Sequence, residues 1–231
     1  MDLDDVLLAV FLLVWLIPSL ALHEYGHAKM ADRLGDRTPR LAGRLTLNPI
    51  AHIDPFGTVI LPGLLLLLVA FGRSAGLPLF AFAKPTPFNP NNFREPHKGT
   101  MWTAFAGPLV NLILALVAAV LLRLLAPDTV TATGLFGRVA ATSRVGQFLL
   151  AGLVINVILF VFNLMPIPGL DGSKVLARYL PPRAREVYQN LDQYLVLFVL
   201  VIVFIFPGPL FAIIGGLGNG ICQIVVGGAC I

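Results

Sequence analysis

Six stretches of this chain are almost purely apolar: Val6–Leu22, Thr58–Phe71, Phe105–Leu122, Val145–Phe162, Tyr194–Phe206 and Leu210–Val226. Between them collect prolines, asparagines and basic residues. A helix spanning a bilayer needs about 20 mainly apolar residues at about 1.5 Å rise each, so the shorter runs must extend beyond their apolar limits to cross. The pattern predicts an all-α polytopic membrane protein with five to six hydrophobic helices. Thr58–Phe71 has only 14 residues, is bounded by Gly57 and Gly72, and contains Pro62-Gly63, so a re-entrant element is expected there. Arg44–Asn48 alternates polar and apolar positions, which predicts a short strand or β-hairpin. Lys84–Asn92 carries three prolines and cannot be helical, because each proline removes a donor and restricts its predecessor.

Composition removes the soluble alternatives. Of 231 residues, 57% are hydrophobic and 12% charged, against about 25% charged in a typical soluble domain. The mean hydropathy is +0.86. The net charge of +4 reflects loop placement rather than a nucleic-acid partner, and none is expected. The first run does not resemble a cleaved secretory signal: its leader, Met1-Asp2-Leu3-Asp4-Asp5, is negative, and the run continues straight into polar chemistry. Cys222 and Cys230 lack metal-type spacing. A single membrane-embedded domain is expected over 1–231, with a core at 1–180 and accessory C-terminal helices at 190–231.

That polar chemistry is His23-Glu24-Tyr25-Gly26-His27. Residues four apart share a helix face, so both imidazoles can reach one zinc ion. Glu24 lies about 100° further round, placed to act as general base toward a water molecule. Gly26 lowers helix propensity, which suits a close approach by another backbone or a substrate. A catalytic zinc normally takes three protein ligands. The third is sought in Asn163-Leu164-Met165-Pro166-Ile167-Pro168-Gly169-Leu170-Asp171-Gly172, where two prolines and a glycine break the fourth apolar run. Asp171 either caps the helix from Ser173 onward or binds the metal; the need for a third ligand favours the metal. Asn163 can donate to a developing oxyanion. Asn111, in Phe105-Ala106-Gly107-Pro108-Leu109-Val110-Asn111, either packs between helices or contacts substrate. His52 and Asp54 are either ligands or parts of a structured loop, and His52 joins Asn111 as a candidate for substrate contact. His97, among Arg94, Glu95 and Lys98, reads as a solvated loop residue.

HEYGH, FAGPLVN and NLMPIPGLDG, in that order on successive hydrophobic elements, resemble the site-2 protease family of intramembrane zinc proteases. The NPIAHIDPFGT and AKPTPFNPNNF segments resemble its compact prokaryotic branch, which lacks PDZ and CBS domains. The resemblance covers about Leu22 to Leu180. It implies one Zn2+ per chain held by His23, His27 and Asp171, with Glu24 as base and Asn163 assisting at the reacting centre. It also implies a transmembrane protein or peptide substrate cut in or near its hydrophobic segment, in a bacterial cell membrane.

Ligand geometry and charge bear on topology together. If every run crossed once, the ends carrying His27 and Asp171 would face opposite sides, with basic residues tied at eight a side. If Thr58–Phe71 makes no net crossing, the ligands share a side that carries thirteen basic residues against three (Arg123, Arg138, Arg144). The positive-inside rule then places the active site toward the cytoplasm. The rival readings are a metal-binding membrane transporter and an inactive protease-like scaffold. A transporter would need further ionisable groups along its path, and the later helices are almost bare of them.

Overall fold

The computed structural model describes residues 3–60, 63, 83–126, 143–195, 198, 201, 205 and 207–225. Among the described residues the regular elements are all helical. The α-helices, in chain order, are α1 (Leu3–Arg33), α2 (Thr38–Leu41), α3 (Pro96–Leu125), α4 (Arg144–Leu164), α5 (Asp171–Ala177), α6 (Pro182–Asn190) and α7 (Pro207–Val225), with 3-10 turns at Pro49–Ala51, Pro90–Asn92 and Leu191–Tyr194 and a π-helical stretch at Pro55–Ile60. Among the described residues, four stretches are long and apolar enough to cross a bilayer: Val10–Arg33, α3, α4 and Gly208–Val225. The proposed re-entrant element beyond Ile60, Gly63 apart, lies outside the described residues, as does most of the fifth apolar run.

The directions of the helices follow from side-chain contacts. One row of α1, Ser19, His23 and His27, meets one row of α3 read backwards, Asn111, Gly107 and Thr103. Asn111 Nδ2 donates to Ser19 O at 3.4 Å, while His27 Nδ1 lies 2.7 Å from Thr103 O. The two helices are therefore antiparallel. α1 and α4 run the same way: Trp15 donates to Phe148 O at 2.9 Å and its ring covers Gly152, while Leu16 and Leu20 share a buried cluster with Ile155 and Leu159. The chain leaves α1 and enters α3 at one end of the bundle, where Arg33, Leu34 and Gly35 line a cavity with Phe93, Lys98 and Trp102.

Small residues govern the packing. Ala115, Ala118 and Ala119 of α3 are buried in one cluster with Leu149, Leu153 and Val157 of α4 and with Leu210 and Ile214 of α7. In lipid, close van der Waals contact holds helices together, and small side chains permit it. Ile113, Leu116, Val117, Val120 and Leu124, at helical spacing on α3, are exposed and form a face suited to acyl chains.

The loops at the site end are tied by polar contacts. Asn48 and Asn89 each precede a proline and each caps a single 3-10 turn, accepting from the amides of Ile50 and Asn91. The expected strand at Arg44–Asn48 does not form, and no strand occurs among the described residues. Groups that a ladder would use are engaged otherwise. His52 Nε2 donates to Thr46 O at 2.9 Å, and the Arg44 guanidinium donates to Ala51 O at 2.5 Å and Lys84 O at 3.4 Å.

Asp36, fully buried, joins the 36–38 and 89–92 segments. It accepts from the Thr38 amide and hydroxyl, the Asn89 amide and the Asn92 side chain, at 2.6–3.0 Å. Burial alone would push this carboxyl up, but the hydrogen bonds from Thr38, Asn92 and Asn89 outweigh it and hold it below its ordinary value. Because the folded pKa is lowered, its contribution is complete above the unfolded value and fades as pH falls toward the folded one. Asp36→Asn is expected to cost about 1–3 kcal/mol at pH 7. Thermal melts of both proteins in detergent should show that difference shrinking toward pH 3.

Candidate metal centre

α1 is continuous through His23, Glu24 and His27, so the two imidazoles project from one face, one turn apart. α4 ends at Leu164, and the Pro166–Leu170 turn returns the chain so that Asp171 opens α5 beside them. Three atoms converge: His23 Nε2 and His27 Nε2 are 3.0 Å apart, and Asp171 Oδ2 lies 3.2 and 3.1 Å from them. All three residues are buried. Asp171 Oδ1 turns the other way, to Lys174 Nζ at 3.4 Å.

The donor set can be tested against a metal. Nδ1 of His27 faces the Thr103 carbonyl, and Nδ1 of His23 faces Asn111 Oδ1 at 2.6 Å. An oxygen acceptor at Nδ1 requires the proton there, which leaves each Nε2 of the neutral rings with a bare lone pair. Two lone pairs and a carboxylate oxygen crowded together repel one another unless a cation lies between them. A tetrahedral zinc ion with bonds of about 2.0–2.1 Å holds its ligands roughly 3.3–3.4 Å apart, close to the triangle observed. The residues fit zinc.

Glu24 is also buried. Its Oε2 accepts from the Thr86 amide at 2.7 Å, and the Thr86 hydroxyl donates to the Glu24 carbonyl at 3.1 Å. Pro85 and Pro87 have no amide hydrogen, so Thr86 supplies the only backbone donor of that triplet, and it points at Glu24.

α3 passes directly against the imidazoles, with Gly107 beside their Nε2 atoms. A Cβ on Gly107 would collide with His27 Cε1 and Nε2 and would stand 2.7 Å from His23 Nε2. A Cβ on Gly26 would stand 2.9 Å from Ala106 O. The approach anticipated at Gly26 is that of another backbone.

The remaining candidates lie elsewhere. Asn111 is turned to His23 and to the interior of the bundle. His52 lies in the loop network, its carbonyl accepting from the Lys84 amide, and is not among the three converging residues. One N–H of Asn163 donates to Leu159 O in its own helix at 2.9 Å, leaving its second N–H for another acceptor. His97 contacts Arg185 Nη1 at 2.6 Å.

Sequence reasoning passed over Thr103, Gly107 and Thr86. The fourfold spacing of Thr103, Gly107 and Asn111 was the available signal for the first two, and the Pro-Thr-Pro triplet for the third. It also passed over a clasp on the Asp171 turn. Tyr188 donates to Pro166 O, and Asp192 Oδ1 accepts from the Gly169 amide at 2.7 Å. Gly169, at φ +90°, permits that turn. Burial, reinforced by the nearby Asp192 charge, pushes the Tyr188 hydroxyl up.

A bundle of membrane-length helices enclosing two imidazoles, a carboxylate and an adjacent glutamate defines a membrane-embedded metallohydrolase. Comparison with known proteins gives the family. The model of Peptidase family M50 matches residues 11–206. The "Putative zinc metalloprotease YwhC" of Bacillus subtilis is 37% identical over 194 residues, covering 82% of this chain and 80% of that protein. The "Putative zinc metalloprotease Rip2" of Mycobacterium tuberculosis is 35% identical over 196 residues, covering 84% and 67%, and its Mycolicibacterium smegmatis namesake is 31% identical over 197, also covering 84% and 67%. No solved structure matches the chain. The chain belongs to peptidase family M50, the site-2 proteases, and is an intramembrane zinc metalloprotease.

The close approach at Gly107 generates a direct prediction. Gly107→Ala drives a methyl group into the imidazole pair, and zinc affinity is expected to fall at least tenfold. Metal content measured by mass spectrometry after dialysis against a weak chelator checks it; stoichiometric zinc in the variant would contradict it.

Proposed function

We propose that the protein cleaves membrane-protein substrates within or beside their transmembrane segments, with His23, His27 and Asp171 as zinc ligands and Glu24 as general base. The observation that carries this reading is the convergence of two Nε2 atoms and one carboxylate oxygen next to a buried glutamate. Zinc, when bound, supplies Lewis acidity that polarises a carbonyl and acidifies water.

The chain's own residues do the rest. The Thr86 amide holds Glu24 Oε2 and so fixes the plane of the carboxylate, leaving Oε1 to accept a proton from the attacking water. As oxygen bonds to the scissile carbon, Glu24 carries that proton to the amide nitrogen. The C–N bond then breaks, giving a carboxylate and an amine. The second N–H of Asn163 is available to the developing oxyanion. His52 fastens the loop that adjoins Lys84 and Thr86, so its effect on substrate is exerted through that loop. Asn111 acts from behind His23.

The chain works as one membrane-embedded unit over 1–231, its core at 1–180. The accessory C-terminal helices lie at 190–231; Tyr188, just before them, and Asp192, within them, clasp the turn leading to Asp171. The site opens to the cytoplasm, the side assigned thirteen of the sixteen basic residues when Thr58–Phe71 makes no net crossing.

Two measurements test this reading. Purified protein in lipid nanodiscs is incubated with a model transmembrane substrate. Glu24→Gln should keep its zinc and lose activity by about a thousandfold or more; cleavage surviving at wild-type rate rules the mechanism out. Single cysteines at positions 40 and 90 should be shielded from an impermeant reagent in whole cells. Labelling of either from outside overturns the topology.

A further inference from the structure

Behind His23 lie two side-chain amides with no exposure at all, Asn111 on α3 and Asn156 on α4. Each belongs to an apolar membrane-length helix, where an unpaired amide is costly and a paired one carries directional information. Asn156 Nδ2 donates to Gly152 O at 2.9 Å. A carbonyl only accepts, so this contact fixes which end of the Asn156 amide is nitrogen. Its Oδ1 therefore faces Asn111 and accepts from Asn111 Nδ2 at 3.0 Å. The same Asn111 nitrogen also faces Ser19 O, a second group that only accepts. Asn111 Oδ1 is thereby turned to His23 Nδ1, and the imidazole must carry its proton there.

We propose that Asn156 and Asn111 form a relay that sets the tautomer of His23, holding it as the Nδ1–H form so that the Nε2 lone pair is presented at the metal centre. The proposal rests on the reading of His23 as a zinc ligand. The two histidines are held differently. His27 is pinned directly by a backbone carbonyl, that of Thr103, which cannot turn over. His23 is pinned by an amide, which can. An amide rotated by half a turn offers N–H instead of oxygen, and the ring then favours the Nε2–H tautomer, which has no lone pair to give the metal. Asn156 forbids that rotation. Both asparagines are positioning residues: neither reaches the converging ligand atoms, and each acts through His23.

Simple interhelical glue would account for buried asparagines without any effect on the ring. The two roles separate in the full chain, labelled with 15N-histidine in lipid nanodiscs. The tautomer of His23 is read by NMR after zinc removal, and zinc affinity by chelator competition. The relay predicts the Nδ1–H form in the wild type. Asn156→Leu should give mixed tautomers and about tenfold weaker zinc binding, as for other groups that orient a metal-bound histidine. Asn111→Leu should behave at least as badly.

A wild-type tautomer and affinity in Asn156→Leu overturn the relay. Should that variant not accumulate, wild-type behaviour in Asn111→Leu overturns it equally. Because the tautomer is read without metal, the two claims fail separately. A wild-type ring found as Nε2–H sinks the relay. A ring that responds to Asn156→Leu while zinc affinity stays constant upholds the relay and removes His23 from the ligand set.

Discussion

The structure depends on how closely α3 passes α1. At Gly26 and Gly107 the two helices come within reach that no Cβ would allow, one glycine against the Ala106 carbonyl and the other against both imidazoles. In lipid there is little hydrophobic gain from bringing helices together, so the contact must be dense to be stable, and absent side chains make it dense. The same approach brings the Thr103 carbonyl to one Nδ1 and the Asn111 oxygen to the other. Packing and metal chemistry are one constraint here.

A second consequence of the membrane is that polar groups at depth must be satisfied within the protein. Thr86, between two prolines, gives its amide to Glu24; Asn156 gives its own to a backbone carbonyl and its oxygen to Asn111. The irregular backbone near the site is likewise held from several directions. Arg44 and His52 brace the segment next to Lys84, and Asp36 fastens the 89–92 turn. Such fixed surroundings suit hydrolysis, since a base and its water need constant geometry through a low-dielectric reaction.

What could be read from the sequence was whatever rests on local spacing. The histidine pair falls on one face because helical residues four apart always do, and the apolar runs of α1, α3 and α4 announce themselves by length. Asp171 was reached by counting the ligands a zinc ion needs and by the family resemblance; local signals left it balanced against a helix cap. In the structure it opens α5 with one oxygen among the imidazoles and the other at Lys174. The strand at Arg44–Asn48 misled because alternation reports side-chain direction and says nothing of whether a partner strand exists. His52 takes the carbonyl such a partner would have used. Asn111 was legible as a buried amide, yet its partner depended on which row of α3 faced α1. Tyr188 lies 22 residues beyond Pro166 and Asp192 23 beyond Gly169, the groups they hold, a separation no local pattern encodes.

The most direct measurement of the central claim is zinc K-edge X-ray absorption on the full chain in lipid. The account predicts a first shell of nitrogen and oxygen at about 2.0–2.1 Å, with multiple-scattering features of two imidazoles and no sulfur. In Asp171→Ala the first shell should lose one light-atom ligand while both imidazole signatures remain. A spectrum showing sulfur, a single imidazole, or a shell unchanged by that substitution would contradict the centre described here.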